Sequence, residues 1–140
     1  MQRVLCAIVG LLLLASTIPA CRQPSEGDWK QVASADISEG KVVVKSAAGD
    51  LKEGKNDIRI EFVDAGGNLL PVEHAEASAA MPMPGMSPMT TSMELKSTAE
   101  EPGRFTAQAN FEMRGGWQCS IQYRLKTGAS GSAAFNLNVR

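Results

Sequence analysis

Apolar and polar residues alternate strictly through the C-terminal third of the chain, and this pattern constrains the fold more than any other feature. Apolar side chains occupy every second position over residues 105–113 and again over residues 117–125, with Gly115-Gly116 between the two runs. A period of two is typical of β-strands that bury one face. Shorter stretches of the same kind, bounded by turn-forming residues, lie around residues 41–47, 58–62, 75–79, 93–95 and 133–139. The sequence therefore predicts about seven strands, and no segment shows convincing helical periodicity.

About seven strands with short connections are typical of an immunoglobulin-like β-sandwich, which is the all-β architecture we predict. A small closed barrel shows the same alternation and turns, so it stays open as the alternative. A disulfide is not expected to stabilise either architecture, because Cys6 and Cys21 fall in the N-terminal region and Cys119 is left alone. Cys119 lies on the apolar face of its strand and is interpreted as a buried, inert thiol.

The first 20 residues are typical of a bacterial lipoprotein signal peptide. Arg3 precedes an apolar run over residues 4–14, which is too short to span a bilayer, since a transmembrane helix needs about 20 apolar residues. Residues 18–21, Ile-Pro-Ala-Cys, resemble the lipobox, in which the cysteine is acylated and becomes the mature N-terminus. By that resemblance Cys21 carries the lipid, and ordinary secretory cleavage is the alternative.

The lipobox implies a protein that is anchored in the bacterial cell envelope and faces the periplasm. By resemblance to proteobacterial lipoproteins, Arg22 in place of an aspartate favours the outer membrane if the host is Gram-negative. Residues 21–36 contain Pro24, Gly27 and several small residues, and we expect them to form a flexible tether. Residues 37–140 are then the folded domain.

The charge balance argues against nucleic acid as a partner. Loss of the signal peptide removes one of the 14 basic residues and none of the 15 acidic ones, which leaves a net charge of −2. The basic residues are scattered among acidic ones, whereas binding to phosphate backbones needs clustered Lys and Arg. Catalysis is not expected either, because the chain has one histidine and no motif that pairs a nucleophile with a base.

Five methionines fall within thirteen residues, in the segment MPMPGMSPMTTSM. These predicted metal ligands are Met81, Met83, Met86, Met89 and Met93. Thioether sulfur is a neutral, soft donor that suits cuprous copper. The three prolines of the segment fix φ and remove amide donors, and Gly85 permits a sharp reversal. We expect the segment to bend outside any central strand, so that the later methionines return to face the earlier ones.

Core packing is the alternative use of these methionines, because flexible thioether side chains often fill gaps between small residues. Met81 shares the inward parity of the alanines at positions 75, 77 and 79, and Met93 shares the parity of Leu95. These two are therefore expected in the core as readily as at a metal. The stronger metal candidates are Met83, Met86 and Met89.

Two further residues are assigned to structural roles. Met113 stands apart from the methionine-rich segment, shortly before Trp117, and is interpreted as a core or edge contact with the indole. His74 shares the polar parity of Glu76 and is expected to be exposed to solvent. It would serve as a metal ligand only if the methionine-rich segment folds back beside it.

Turns and aromatic residues recur in a fixed order within residues 38–125: Asp64-Ala65-Gly66-Gly67-Asn68, Pro71-Val72, Met81-Pro82-Met83-Pro84-Gly85-Met86, Pro102-Gly103-Arg104-Phe105, Phe111-Glu112-Met113 and Gly116-Trp117. This order resembles the YtkA-like domain, a family similar also to the FixH group. The family consists of small exported or membrane-anchored β-sandwich modules, some joined to copper-handling or efflux proteins, so the resemblance implies that fold and a partner of that kind. Members often carry a histidine in or beside the methionine segment. Its absence between Met81 and Met93 leaves coordination by thioethers alone.

The sequence therefore predicts a lipid-anchored envelope protein that holds cuprous copper in its methionine-rich segment, as a chaperone, buffer or delivery module. The alternative is a metal-free accessory module whose methionine-rich segment docks onto an envelope protein complex. A third hypothesis is a purely structural lipoprotein whose methionines only fill the core.

Overall fold

The computed structural model describes residues 26–140, and in it nine strands form two antiparallel sheets. A short 3₁₀ helix, Glu26–Asp28, precedes the strands. In chain order the strands are β1 (Lys30–Ile37), β2 (Gly40–Ser46), β3 (Gly54–Val63), β4 (Val72–Met81), β5 (Met89–Met93), β6 (Lys96–Ser97), β7 (Arg104–Phe111), β8 (Gly115–Leu125) and β9 (Ser130–Val139). No helix in this part of the chain is long and apolar enough to cross a membrane. The predicted signal peptide and Cys21 lie outside the described residues.

The first sheet has the strand order β1-β2-β3-β7-β6, and the second sheet has the order β5-β4-β8-β9. The apolar faces of the two sheets share one continuous core, so the predicted all-β sandwich is confirmed. The three-residue connection between β7 and β8 carries the chain from the first sheet to the second. Strands β1 and β6 are additions to the seven that the sequence predicted.

The tether predicted over residues 21–36 is wrong for its second half, because β1 forms an edge strand of the first sheet. Its apolar side chains are partly buried against the core, so the folded domain begins at Lys30 rather than at residue 37. The alternation of β1 is weak because a register shift between Gln31 and Ala33 interrupts its parity. Small residues fill much of the rest of the strand, which gave it the composition of a linker.

Aromatic side chains fill the space between the sheets. The ring of Phe62 lies 5.9 Å from that of Phe105 and 5.2 Å from that of Tyr123, measured between centroids. At the other end of the core, Phe111 and Trp117 lie 5.2 Å apart in an edge-to-face arrangement. Aromatic pairs of this kind stabilise a fold by about 0.5–1.5 kcal/mol each beyond their buried area. The inward positions of β8 are all buried, as its alternation predicted.

The outer face of β3 carries buried charge. Glu61 is 5% exposed, and its carboxylate lies 2.6 Å from Lys45 Nζ and 3.0 Å from Arg104 Nε. Arg59 is 8% exposed and lies beneath the indole of Trp29, with its guanidinium carbon 4.4 Å from the ring centroid. Because β3 is the middle strand of its sheet and Trp29 covers its outer face, both faces of the strand are buried.

A candidate metal centre in the methionine hairpin

The methionine-rich segment forms a β-hairpin at one edge of the second sheet. Strand β4 ends at Met81 and β5 begins at Met89, and these two residues lie opposite each other in the β4–β5 ladder. Residues 82–88 connect the strands, and we call residues 81–89 the methionine hairpin. The predicted reversal, which returns Met89 to face Met81, is confirmed by this pairing.

A tight turn stiffens the tip of the methionine hairpin. The amide of Met86 donates a hydrogen bond to the carbonyl of Met83 across 3.1 Å, with Pro84 and Gly85 between them. Gly85 has a φ of 77°, and a proline followed by a residue of positive φ is the pattern of a type II turn. The proline ring fixes one φ and the glycine accepts the other without strain. The backbone that carries Met83 and Met86 is therefore preorganised.

The five predicted ligands divide into two groups by burial. Met81 is 7% exposed and Met93 is 5% exposed, and both lie in the hydrophobic core, as their parity indicated. Met83 and Met89 are half-buried and pack against that core. Met86 is 66% exposed at the tip. The structure thus leaves Met83, Met86 and Met89 accessible to a metal ion and commits the other two to packing.

Harder ligands are not gathered anywhere in residues 26–140, where no group of three or more His, Cys, Asp or Glu residues is arranged to hold a metal ion. The soft donors that the methionine hairpin offers are its thioether sulfurs. Such donors carry no charge and release no proton on binding, and they favour soft monovalent ions such as cuprous copper or silver.

His74 lies away from the candidate centre, and Cys119 is buried. His74 is exposed, and its Nε2 lies 3.2 Å from the Glu76 carboxylate. It precedes Met81 by seven residues on β4, a separation of about 23 Å along an extended strand. The thiol of Cys119 is 2% exposed, and burial raises its pKa to about 12, so it stays protonated and inert. The interpretation of Cys119 as a buried thiol is confirmed.

The turn between β7 and β8, residues 112–114, lies beside the base of the methionine hairpin. A Cβ atom added to Gly115 would come within 2.7 Å of Met81 Cε, so the backbone of β8 begins directly against that methyl group. Trp117 Nε1 donates a hydrogen bond to the carbonyl of Met113 across 3.0 Å. The Met113 side chain itself is 41% exposed. The predicted contact with the indole is thus made by the Met113 backbone, and the thioether faces solvent.

Sequence reasoning missed the accessible thioether of Met113 because the residue continues the inward parity of β7. Strand β7 ends at Phe111, and the chain turns before that parity reaches residue 113. The paired glycines that follow Arg114 were the available signal, since glycine pairs mark turns.

Residues 33–122 match the YtkA-like family, which is well over half of the chain. The protein belongs to the YtkA-like family. Its β-sandwich is the fold that this resemblance implied, and YtkA-like domains are not a typical enzyme family. No curated protein sequence matches this YtkA-like chain.

Two solved structures are similar to this YtkA-like protein. The filamin domain of Lin-41 has a TM-score of 0.39 and 22% identity, over 65% of this chain and 81% of that one. FetP of the uropathogenic E. coli strain F11, expressed in the periplasm of E. coli, has a TM-score of 0.44 and 9% identity, over 79% of this chain and 95% of that one.

Proposed function

We propose that this YtkA-like protein is a lipid-anchored envelope module that binds cuprous copper through Met83, Met86 and Met89. The observation that carries the proposal is the turn at the hairpin tip, which holds the half-buried Met83 and the exposed Met86 on one fixed backbone. Met89 begins the returning strand and brings a third thioether to the same loop. Three soft, neutral donors on one short loop form a set that favours monovalent copper over zinc or magnesium.

The site suits exchange more than permanent storage. Thioether ligands need no deprotonation, so copper can arrive and leave without proton release. Met86 is two-thirds exposed, which leaves one ligand free to contact an incoming metal donor or acceptor. A chaperone, buffer or delivery module in the envelope has these needs. An envelope copper-handling or efflux protein is the partner that this chemistry fits.

The lipid predicted at Cys21 would hold the methionine hairpin near the membrane. Strand β1 begins at Lys30, which lies opposite Ser46 at the end of β2. The strand pairings place this end of β1 in the same half of the sandwich as the end of β4, where the methionine hairpin begins. Only residues 22–25 separate Cys21 from the 3₁₀ helix, and the Cα-to-Cα reach across them is about 18 Å at most. Anchoring at Cys21 would therefore present the hairpin to a membrane-embedded partner.

The direct test is an anaerobic titration of residues 22–140 with cuprous ion against a competing chromogenic chelator. The triple substitution of Met83, Met86 and Met89 to leucine should abolish competition while the unfolding curve stays close to that of the parent. Met86 is exposed, and leucine retains the apolar contacts of the half-buried Met83 and Met89. Met93→Leu is the matched control, since it replaces a buried thioether by an isostere and should leave copper uptake unchanged. Uptake should also persist at about pH 5, where binding by histidine would weaken.

The exposed tip also supports the second candidate function, a metal-free module that docks onto an envelope protein. Flexible methionine side chains on a surface adapt to many apolar partners. If the parent protein fails to compete with the chelator, the copper function is wrong and Met86 becomes the centre of a docking surface. Loss of the folded state in the triple variant would instead support a purely structural role.

A further inference from the structure

Two large apolar side chains are exposed in residues 26–140, and both are methionines. Met86 is 66% exposed and Met113 is 41% exposed. An exposed apolar side chain gains little from the fold, so packing does not account for either residue. Their shared chemistry and their positions in the fold suggest a common role.

The fold brings the two exposed methionines to the same end of the molecule. In the β4–β8 ladder, Ala80 near the end of β4 lies opposite Gln118 near the start of β8. Met113 precedes the first residue of β8 by two positions, and Met81 is both the last residue of β4 and the base of the methionine hairpin. The contact between Gly115 and Met81 Cε joins the turn to the hairpin directly.

The backbone of the turn is held in place while its thioether is left free. The indole N–H of Trp117 binds the Met113 carbonyl, and the Trp117 ring is fully buried against Phe111. A hydrogen bond from a fully buried donor fixes the position of residue 113 relative to the core. Met113 therefore combines an anchored backbone with an accessible soft donor, which is the property that Met83 and Met86 have in the hairpin.

We propose that Met113 is a further thioether ligand, so that the copper site is shared between the methionine hairpin and the β7–β8 turn. This inference rests on the proposed function of the hairpin. A fourth sulfur from outside the hairpin would complete the coordination of a soft monovalent ion. Bound metal would then tie the hairpin to the connection between the two sheets, so metal binding would stabilise the whole sandwich.

The test uses silver(I), a redox-stable soft monovalent ion, and methyl-labelled methionine in residues 22–140. The methyl resonances are assigned by single methionine-to-leucine substitutions and followed by NMR during silver titration. We expect the methyls of Met83, Met86, Met89 and Met113 to shift together at a common stoichiometry. The buried methyl of Met93 serves as the internal control and should move much less.

Each outcome separates this inference from the proposed function. If the three hairpin methyls shift and the Met113 methyl does not, the shared site is wrong and the hairpin site stands. If no methyl shifts, the copper function itself fails. As a second measurement, Met113→Leu should weaken silver affinity by about tenfold or more while its unfolding curve matches the parent, because the side chain is exposed. Unchanged affinity in that variant would also overturn the shared site.

Discussion

Gly115 begins β8 directly against the methyl group of Met81, the last residue of β4. A Cβ at Gly115 would lie 2.7 Å from Met81 Cε, and the residue has a φ of 131°, a conformation that L-amino acids rarely adopt. The next residue, Gly116, has neither constraint: a Cβ there would meet no atom within 4 Å. The two adjacent glycines therefore have different physical roles, although the sequence presents them as one turn signal.

Gly115→Ala should lower the free energy of unfolding by about 1–3 kcal/mol, through backbone strain and displacement of the Met81 methyl. Gly116→Ala, the matched control, should change it by less than about 0.5 kcal/mol. Urea unfolding followed by tryptophan fluorescence measures both. Equal losses in the two variants would show that the contact with Met81 has no energetic role.

Glu61 provides a second prediction, because it is the buried acidic partner of three basic side chains. Glu61→Gln keeps the shape but leaves Lys45, Arg59 and Arg104 around a neutral group, and we expect a loss of about 3 kcal/mol. Glu101→Gln also removes a carboxylate that binds Arg104, but Glu101 is 43% exposed, so the loss should stay below about 1 kcal/mol. Thermal unfolding of both variants measures the difference. Similar melting temperatures for the two would contradict a special role for buried Glu61.

Local chemistry explains which parts of the fold could be predicted from the sequence. The alternation of β8 identifies its buried face because successive side chains of a strand point to opposite faces of the sheet. The reversal at Gly85 was equally predictable, since proline and glycine act on their own φ angles. The burial of Arg59 was not predictable, because it depends on the position of β3 within its sheet and on a tryptophan 30 residues earlier in the chain.

In the candidate site, too, some features follow from local sequence and others depend on long-range strand pairing. Parity indicated that Met81 and Met93 fit the core as readily as a metal site, and the structure buries both. The proximity of the β7–β8 turn to the hairpin depends on the long-range pairing of β4 with β8, and no local pattern encodes that register. The glycine pair could have indicated the turn at Met113, but its position beside the methionine hairpin could not be predicted from the sequence.

Trp29 carries a third prediction, because it covers Arg59 from outside the strands. Trp29→Ala should destabilise the domain by about 2 kcal/mol, through lost cation–π attraction and the exposure of Arg59. Trp29→Phe retains an aromatic face and should cost less than half as much. Denaturant unfolding of the two variants tests the assignment, and it also tests whether the segment before β1 belongs to the folded domain. An alanine variant as stable as the parent would show that this segment is only a tether.

Tyr123 connects the second sheet to the turn between β1 and β2. Its hydroxyl donates a hydrogen bond to Glu39 Oε2 across 3.0 Å, and its ring is 5% exposed. Burial, reinforced by the hydrogen bond to Glu39 and by the negative charge of that carboxylate, raises the pKa of Tyr123 to about 12. It is the single tyrosine of the chain, so its ionisation can be followed without interference from another.

The folded protein holds the Tyr123 proton more tightly than the unfolded chain does. The protonated Tyr123 hydroxyl therefore contributes fully to stability below about pH 10, and this contribution is lost as the pH rises toward 12. Tyr123→Phe lacks both the hydrogen bond and the ionisation. Near pH 8 we expect the parent to be more stable than this variant by about 1 kcal/mol. The gap should shrink steadily above about pH 10, as measured by urea unfolding at a series of pH values alongside tyrosinate absorbance. A gap that stays constant through that window, or a tyrosine that titrates near pH 10 in the folded state, would show that Glu39 and burial do not hold the proton.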